Sequence, residues 1–297
     1  MSRSATLTHP LRDPNVSQQP LPLSAALITL NAERTLEAAL ASVRFCDEVV
    51  VLDSGSTDGT LEIARAAGAR IETREWTGFR DQKNAVTELC RHDWVLSIDA
   101  DEAVTPELAD EIRSLFADGA PTAQGYSIPR STRYLGRRIR YSGWYPDRAV
   151  RLYDRRHAEW VGGQVHERVT VEGRVERLGG DLLHDPYATL SHHVEKLDRY
   201  STLAAETLHA RGRTAGWTDL VFRPPLVFLK KMLPQRGVLD GVPGVVVALS
   251  TATSAFLKYA KLWDLERRGV PRDPTAAANR TSSASVDRDS ESGDSAG

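Results

Sequence analysis

Apolar runs of strand length alternate with amphipathic segments along the first half of the chain. Four runs predict strands, at residues 25–30, 48–53, 69–72 and 94–99. The second is the continuous β-branched type that is typical of a parallel strand buried on both faces. Apolar positions at helical spacing predict helices at residues 33–43, 60–67, 81–91 and 105–116, the last capped by Thr105 with Pro106 in its first turn. The alternation predicts an α/β fold with a doubly wound, mostly parallel sheet flanked by helices.

The two ends of the chain lack this pattern. Residues 1–22 are polar, contain four prolines and have no apolar core of signal-peptide length, so they predict a disordered tail. Residues 271–297 are rich in Ser, Ala and Asp and predict a second disordered tail. Residues 241–257 form an uncharged run of 17 positions. A membrane-spanning helix needs about 20 apolar residues, so this run predicts a buried or interfacial helix.

Composition narrows the class of protein. Of 297 residues, 41% are hydrophobic and 26% are charged, which excludes global disorder and a polytopic membrane protein. The net charge of −2, from 38 basic and 40 acidic residues, argues against a dedicated nucleic-acid-binding protein. The two cysteines, Cys46 and Cys90, exclude a disulfide scaffold and a structural zinc site and agree with a reducing cytoplasm.

Acidic residues stand where predicted strands end. Asp53 closes one strand, and Asp99 closes another and is followed by Asp101. A lone aspartate there most often forms a turn or caps a helix. Ligands of α/β sheets bind at the carboxyl ends of strands, however, so three acids at two strand ends predict a site. Packed carboxylates favour a cation, and oxygen ligands suit Mg²⁺ or Mn²⁺.

Two common phosphate-binding motifs are absent from the sequence. It contains no GxxxxGK[ST] loop, which argues against a kinase or NTPase mechanism. It also contains no GxGxxG after the first strand, which argues against a dinucleotide oxidoreductase.

Three segments resemble the nucleotide-sugar half of glycosyltransferase family 2, which has the GT-A fold. They are Leu27-Ile-Thr-Leu-Asn31, the segment from Glu48 through Asp53-Ser-Gly-Ser-Thr-Asp-Gly-Thr60, and Trp94-Val-Leu-Ser-Ile-Asp-Ala-Asp-Glu102. Segments at residues 78–84, 151–153, 165–167, 237–241 and 256–260 resemble in particular the branch around the lipopolysaccharide-core β-1,4-glucosyltransferases. The resemblance extends over roughly residues 23–268.

The resemblance implies roles for individual residues. Asp53 would contact the uracil and ribose of the donor, and Asp101, with Asp99 nearby, would position Mg²⁺ or Mn²⁺ on the donor diphosphate. The implied nucleotide-sugar-binding set is Thr29, Leu30, Asn31, Glu33, Asp53, Lys83, Asn84, Asp99 and Ala100, with Asp101 and Asp99 as the metal ligands. Glu102 lies outside the metal motif, and we expect it to cap the following helix.

An inverting transfer needs a carboxylate that takes the proton from the acceptor hydroxyl. The Glu-Asp pair after a Thr that commonly supplies this base in the family is absent here, which leaves Glu167 and Asp147 as candidates. We favour Glu167 because it follows a Gly162-Gly163 loop, where backbone can approach a ligand, and has His166 beside it. The alternative for Glu167 is a structural ion pair with a nearby arginine.

The second half of the chain carries local positive charge. Residues 125–178 contain 12 arginines and six acids. One interpretation of this excess is a solvated surface. The other is a surface that recruits an anionic acceptor such as a phosphorylated, lipid-linked saccharide. His184, His192 and His193 are expected to be structural, with His184 also a candidate pocket residue.

Residues 220–268 are more apolar than the rest of the chain. Aromatic and aliphatic residues precede Lys230 and Lys231, a pattern that predicts peripheral contact with the inner membrane. The alternative is an ordinary helical subdomain packed on the sheet.

Together these features predict an inverting, metal-dependent glycosyltransferase. It would move a hexose from a nucleotide sugar, expected to be UDP-linked, to a cell-envelope glycan or glycolipid such as lipopolysaccharide core. A nucleotidyltransferase acting on sugar phosphates and an inactive nucleotide-sugar-binding module are the alternatives. The expected organisation is a donor half (23–120), an acceptor half (121–215) and a helical, membrane-associated region (216–270). We expect a cytoplasmic protein at the cytoplasmic face of the inner membrane, without a nucleic-acid partner.

Overall fold

The first half of the chain builds a parallel sheet. The computed structural model describes residues 19–162 and 167–272. The first elements are β1 (Leu21–Thr29), α1 (Leu36–Ser42), β2 (Cys46–Asp53), α2 (Thr60–Ala66), β3 (Arg70–Thr73), α3 (Phe79–Leu89) and β4 (Trp94–Ser97). The strands follow the order β3-β2-β1-β4, and each pairing is parallel. Parallel neighbours need crossover connections, which the helices supply.

The second half adds strands that run in both directions. Its elements are β5 (Glu102–Val104), α4 (Pro106–Leu115), β6 (Gly125–Tyr134), β7 (Arg137–Arg138), β8 (Asp147–Asp154), β9 (Ala158–Gly162), β10 (Glu167–Val171), β11 (Val175–Arg177) and β12 (Leu182–His184). Strand β8 lies antiparallel between β4 and β6, β12 is parallel to β6, and β5 is antiparallel to β12. The main sheet is therefore parallel in its first four strands and mixed beyond them, and β9 and β10 form a separate hairpin.

Alternate residues of β1 face the two sides of the sheet. Leu23, Ala25 and Leu27 belong to one buried cluster, which also contains residues of α1, α2 and α4. Ala26 and Ile28 belong to a second cluster, formed with residues of α3, β8 and β9. Both faces of the central strands are covered, which explains the continuous apolar runs in the sequence.

The C-terminal region is helical, as predicted. It consists of α5 (Leu190–Ala210), α6 (Trp217–Met232), a 3₁₀ turn (Gly237–Asp240) and α7 (Val242–Arg267). Near the start of α7, Val247 packs with Tyr134 of β6. Near its end, Leu262 packs with Ala205 of α5, and Nζ of Lys261 lies 2.7 Å from a carboxylate oxygen of Asp198. Both halves of α7 are thus held by the rest of the protein.

Element boundaries differ from the predicted ones by a few residues. Strand β1 begins at Leu21, inside the segment expected to be a tail, because the Leu21 amide bonds to the Phe45 carbonyl just before β2. Strand β4 ends at Ser97, which leaves Asp99 in the turn beyond it. Thr105 caps α4 as predicted, with Oγ1 accepting from the Leu108 amide at 3.2 Å. The rest of the expected tails, residues 1–18 and 273–297, lies outside the described residues.

Helix α7 is, within the described part of the chain, the one helix long and apolar enough to cross a membrane. It continues past the uncharged run to include Lys258 and Lys261, so it is longer than the pattern predicted. Only 28% of its most apolar window is buried inside the protein. Length and composition alone are weak grounds for a span, since core helices of other proteins meet the same test.

Candidate active site

Asp53 is fully buried at the end of β2 and organises the loop that follows. Its Oδ1 accepts from the Thr29 and Ser56 hydroxyls at 2.8 and 2.6 Å, and its Oδ2 accepts from the Gly55 and Ser56 amides at 2.8 Å. Burial raises the pKa of this carboxyl, but the hydrogen bonds outweigh burial and hold the pKa of Asp53 below its usual value. The carboxylate is a fixed anchor for residues 54–56.

Asn31 and Glu33 tie the loop after β1 to the loop after β2. Asn31 adopts a left-handed conformation, with φ of 50°, which asparagine tolerates better than most residues. Its Oδ1 accepts from the Thr57 amide at 2.9 Å, and its own amide donates to the Ser56 hydroxyl at 2.8 Å. Glu33 accepts from the Gly59 amide at 2.8 Å. The two loops form one unit at the edge where α/β sheets bind ligands.

Strand register brings distant charged residues to the end of β4. Arg130 of β6 is the register partner of Asp147 of β8, and Glu102 of β5 is the partner of His184 of β12. Because β8 runs antiparallel to β4, its residue Arg151 reaches the turn after β4. Residues separated by up to about eighty positions in sequence thereby surround one place in the fold.

Seven side chains form a series of alternating charges, which we call the ion-pair chain. Its order is Glu167, Lys83, Asp99, Arg151, Glu102, Arg130 and Asp147, and successive nitrogen–oxygen distances are 3.1, 3.1, 2.9, 2.7, 3.7 and 2.5 Å. The side chains of Arg151 and Glu102 at its centre are 5% and 0% exposed. Buried ions are tolerated when they are paired and hydrogen-bonded, and each inner member has an opposite charge on both sides.

Burial and neighbouring charges act in opposite directions on these groups. Burial raises the pKa of Asp99, but Arg151 and Lys83 lower it more, so the pKa lies well below its usual value. Burial raises the pKa of Glu102, Arg151 lowers it, and the nearby Asp99 carboxylate raises it further. The net effect is a pKa above the usual value. Burial lowers the pKa of Arg151, yet Asp99 and Glu102 hold it above its usual value. Asp99 is therefore fixed as a carboxylate between two cations.

Asp101 and His184 face each other beside the ion-pair chain. Oδ2 of Asp101 is 3.6 Å from Nε2 of His184, too long for a hydrogen bond. The His184 ring is buried, and its Nδ1 lies 3.3 Å from the Thr132 hydroxyl. Among the described contacts, Nε2 of His184 has no hydrogen-bond partner. Buried polar atoms normally have a hydrogen-bond partner, so Nε2 of His184 is an atom that a bound ligand can engage.

Helix α3 joins the ion-pair chain to the β9–β10 hairpin. Nζ of Lys83 lies 4.5 Å from the centre of the Trp160 ring. Asn84 accepts from the Trp160 amide and donates to its carbonyl, each at 3.0 Å. Asn84 therefore holds the hairpin, and the hairpin carries Glu167 at the start of β10.

Comparison with known proteins identifies the family. The family model described as Glycosyl transferase family 2 matches residues 24–169. The lipopolysaccharide core biosynthesis glycosyltransferase LpsC of Rhizobium meliloti (strain 1021) is 32% identical over 82% of this chain and 92% of its own length. The chain belongs to glycosyltransferase family 2. An uncharacterized glycosyltransferase of Rickettsia typhi is 31% identical over 82% of this chain and 87% of its own.

Two solved structures show more distant similarity. Glucosyl-3-phosphoglycerate synthase from Mycobacterium tuberculosis, in complex with Mn²⁺, UDP and glucosyl-3-phosphoglycerate, has a TM-score of 0.32 and 29% identity over 37% of this chain and 44% of that one. S. aureus TarS 1-349 has a TM-score of 0.43 and 14% identity over 83% of this chain and 91% of that one. Family membership rests on the sequence relatives.

Family 2 membership confirms the resemblance drawn from the three donor-half segments. The α/β architecture, GT-A fold and helical C-terminal region are likewise confirmed. The protein is a glycosyltransferase, which sets aside the nucleotidyltransferase alternative.

The predicted family 2 site residues lie along one edge of the sheet. Several of them contact a different partner from the expected one. Leu30 and Ala100 occupy the turns after β1 and β4. Glu102 does not cap α4. Its carboxylate instead accepts from the Asp99 amide at 2.9 Å and from Arg151 at 2.7 Å, because it is drawn into the ion-pair chain. The ion partner of Glu167 is Lys83, not an arginine, and Gly163 and His166 beside it lie outside the described residues.

Sequence reasoning missed Arg151 and Arg130 as members of the site. The available signal was a charged residue inside an otherwise apolar strand, as in Val150-Arg-Leu-Tyr153, because such a residue needs a buried partner. His184 was expected to be mainly structural, and no sequence feature showed that its Nε2 would meet Asp101 without a hydrogen bond.

The chemistry of the site fits a divalent cation. The ion-pair chain holds four carboxylates and three cations, and Asp101 adds a fifth carboxylate. The charge of Lys196 also acts on Asp101, so the site has one negative charge in excess of these Lys and Arg charges. In the described residues no group of three or more His, Cys, Asp or Glu side chains could hold a metal ion alone. Mg²⁺ commonly takes one or two protein ligands and completes its shell with water and substrate phosphates. Asp101 supplies one such oxygen ligand, and the His184 imidazole beside it offers a nitrogen ligand.

Proposed function

We propose that this glycosyltransferase moves a hexose from a UDP-sugar to a cell-envelope saccharide, with inversion at the transferred carbon and with Mg²⁺ or Mn²⁺. The observation that carries the proposal is the buried Nε2 of His184, which has no hydrogen bond among the described residues and lies 3.6 Å from the Asp101 carboxylate in the turn after β4. The relative named for lipopolysaccharide core biosynthesis supports an acceptor of that class.

Asp101 and His184 are the residues that would hold the metal. Both oxygens of Asp99 are occupied, Oδ1 by Lys83 at 3.1 Å and Oδ2 by Arg151 at 2.9 Å. We therefore assign Asp99 to positioning the turn rather than to binding the metal directly. When bound, the metal supplies Lewis-acid stabilisation of the departing nucleoside diphosphate.

The joined loops after β1 and β2 are the proposed nucleotide-binding unit. Thr29 and Asp53 fix the strand ends, and Asn31 and Glu33 fix the loops against each other. A preorganised loop pair loses little conformational freedom when the base and ribose bind, which favours affinity.

Glu167 is the proposed catalytic base, which would take the proton from the acceptor hydroxyl. It shares Lys83 with Asp99, and this places its carboxylate beside the turn that carries Asp101. Its Oε1 contacts Lys83 at 3.1 Å, and the described residues give its Oε2 no hydrogen bond. Asp147 is the second candidate. Its Oδ2 accepts from both Nε and Nη2 of Arg130, at 2.9 and 2.5 Å. Asp147 lies at the opposite end of the ion-pair chain.

The acceptor is proposed to be anionic. Of the arginines between residues 125 and 178, Arg130 and Arg151 serve the ion-pair chain, whereas Arg133, Arg137 and Arg140 form no ion pair among the described residues. Exposed guanidinium groups of this kind suit a phosphorylated saccharide. The proposal includes action in the cytoplasm, which the use of a nucleotide sugar and the two buried free cysteines support.

A donor screen tests the proposal. Nucleotide sugars are added to the protein with Mn²⁺ or with EDTA, and the unfolding midpoint is measured. A ligand at 100 times its dissociation constant adds about 2.7 kcal/mol to the stability of the native state. We expect a UDP-hexose to raise the midpoint only when Mn²⁺ is present. No shift with any nucleotide sugar would contradict the proposal and favour a protein without donor binding.

Transfer by two isosteric variants distinguishes the base candidates. Glu167→Gln is expected to lower transfer by at least about a hundredfold, the usual size of general-base catalysis, while the Mn²⁺-dependent shift with donor persists. Asp147→Asn is the matched variant and is expected to retain measurable turnover. The reverse result would assign the base role to Asp147.

A further inference from the structure

Helix α6 exposes an apolar face that the described protein does not cover. None of its 16 residues is buried. Phe222, Leu226 and Leu229 are 53%, 62% and 48% exposed, and Leu233 just after the helix is 65% exposed. At 100° per residue, these four positions fall within about 60° of one another around the helix axis. They form a single apolar stripe.

The stripe continues into the turn and along α7. Val238 and Leu239 of the 3₁₀ turn are exposed. Exposed apolar residues then recur at every seventh position of α7, at Val242, Leu249, Phe256 and Trp263. We call this set, together with the four residues of the α6 stripe, the apolar surface. An exposed patch of this extent marks an interaction site.

The charge beside the α6 part of the apolar surface is mainly basic. Residues 220–239 contain Arg223, Lys230, Lys231 and Arg236 and no acid. Of the acids that flank this segment, Asp219 pairs with Arg223 at 2.6 Å. Asp240 is turned inward and accepts from the Arg140 and Tyr141 amides at 3.0 Å. Nζ of Lys231 donates to the Ser142 carbonyl at 2.9 Å, whereas Lys230 and Arg236 are exposed and form no ion pair among the described residues. Exposed basic side chains therefore lie beside the exposed apolar side chains of α6.

Two arginines of the β6–β7 region extend this basic border. The Arg140 amide is bound to Asp240, and the Arg137 guanidinium lies beside Gly241, 3.7 Å from where a β-carbon would stand. Strand β6 also carries Thr132, which contacts His184 of the proposed metal site. Strand β6 ends at Tyr134, so only a short stretch of chain separates this contact from the basic border at Arg137.

We propose that the apolar surface docks on an anionic lipid bilayer, with its apolar side chains in the interfacial region and its basic border against the headgroups. Apolar burial combined with attraction to anionic lipids is the recognised basis of interfacial helix binding. Two copies of this chain facing each other through the surface would bring their like charges together. Charge complementarity therefore favours a lipid surface over a second copy.

The helices lie on the bilayer and do not cross it. A spanning α7 would have to leave the protein at both ends, since Val247 packs with Tyr134 and Leu262 packs with Ala205. Lys261 also contacts Asp198, Ser201 and Thr202 of α5 at 2.7 to 2.8 Å. This proposal does not depend on the transfer chemistry, because binding to lipid is measured without donor or acceptor.

Vesicle sedimentation of the full chain tests the proposal. The protein is mixed with vesicles of phosphatidylcholine alone or with about one-third phosphatidylglycerol, at low and at physiological salt. We expect binding to the anionic vesicles that weakens with salt, and a blue shift of tryptophan emission from Trp217 and Trp263. Lys230→Gln should lower the partition coefficient about fivefold, as expected for one basic residue near a charged surface.

Matched variants and a mass measurement make the test decisive. Leu226→Ser should weaken binding, whereas Val175→Ser, on β11, and Arg44→Gln, ahead of β2, should bind like the wild type. Unchanged unfolding midpoints show that the variants are folded. Equal binding to neutral and anionic vesicles, or no binding to either, would overturn the proposal. A concentration-dependent dimer abolished by Leu226→Ser would also overturn it, by showing that a second copy covers the surface.

Discussion

Lys83 connects two carboxylates to which we assign different tasks. Its ammonium group lies 3.1 Å from both Asp99 and Glu167, and its side chain is 4% exposed. A cation in this position offsets the repulsion between a turn-forming acid and a base candidate, and thereby lets both approach the same substrate. Lysine is a compact point charge, which suits a bridge between two separate acids.

Replacing Lys83 tests this arrangement. Lys83→Met leaves two buried carboxylates without their shared cation, and breaking such a pair typically costs about 3–5 kcal/mol. We expect a loss of that size in the free energy of unfolding, measured by urea denaturation. Arg65→Met is the matched control, since the Arg65–Glu62 pair is exposed and worth less than about 1 kcal/mol. Equal losses for both variants would show that the bridge is not important for stability.

At the scale of single residues, the sequence indicated where the acidic residues lie but not which cations pair with them. Asp53, Asp99 and Asp101 follow apolar strands, and that local pattern was sufficient to place them at the binding edge. Arg151 comes from a later strand that runs antiparallel to β4. Its role depends on strand order, which local periodicity does not encode.

Two polar contacts add to the apolar packing of elements near the site. On one face, Asn84 of α3 joins β9 through two hydrogen bonds to Trp160. On the other side of the site, α5 meets β6 where Nδ1 of His193 lies 2.5 Å from the Tyr134 hydroxyl. Both contacts fix elements that border the active site.

Asn84→Ala is expected to loosen the β9–β10 hairpin. The Trp160 amide loses its acceptor, so its hydrogen exchange should accelerate, and stability should fall by about 1–3 kcal/mol for the unsatisfied groups. Native-state hydrogen exchange of β9 measures this directly. Thr170→Ala, which removes an exposed hydrogen bond in the same hairpin, should leave Trp160 protected. Unchanged protection in Asn84→Ala would show that the hairpin is held by other contacts.

His193 makes the attachment of α5 sensitive to pH. Burial lowers the pKa of this imidazole from 6.5 to about 4, with Lys196 acting in the same direction. Because the folded state resists protonation, stability falls as the pH decreases from 6.5 toward 4 and the unfolded chain takes up the proton. A shift of this size corresponds to about 3 kcal/mol.

The His193→Gln variant isolates that contribution. It is expected to be less stable than the wild type at pH 7, and the difference between the two should shrink between pH 6.5 and pH 4. Urea denaturation across this range measures the difference. Val175→Ser, at an exposed position without a titrating side chain, is the control and is expected to differ from the wild type by a constant amount. A constant difference for His193→Gln would contradict the assigned pH dependence.

Apart from the β9–β10 hairpin and the C-terminal helices, the described part of the chain is built on one mixed sheet. Its parallel strands β3, β2, β1 and β4 were predictable because each is a buried apolar run followed by a helix. The strands beyond β4 were not predictable. Strands β5, β7, β11 and β12 are two or three residues long and leave no clear periodicity, and arginines interrupt the longer strands β6 and β8.

The same contrast between regular parallel strands and mixed strands limited prediction of the site. The edge proposed to bind the donor belongs to the regular half of the sheet, where the local pattern predicted Asp53 and Asp99 at strand ends. His184 and Arg130 belong to the mixed half, where register alone brings them beside Glu102. Mixed pairing follows from tertiary packing, so the charge balance of the site became visible only in the folded chain.

The central claim is that Asp101 and His184 hold a divalent cation on which nucleotide binding depends. Calorimetric titration of UDP into the wild type, with Mn²⁺ or with EDTA, tests it most directly, with Asp101→Asn, His184→Ala and the control His157→Ala measured in parallel. We predict UDP binding that requires Mn²⁺, is weakened at least about tenfold in both site variants, and is unchanged in His157→Ala. Equal affinity in EDTA, or full affinity in His184→Ala, would contradict the account.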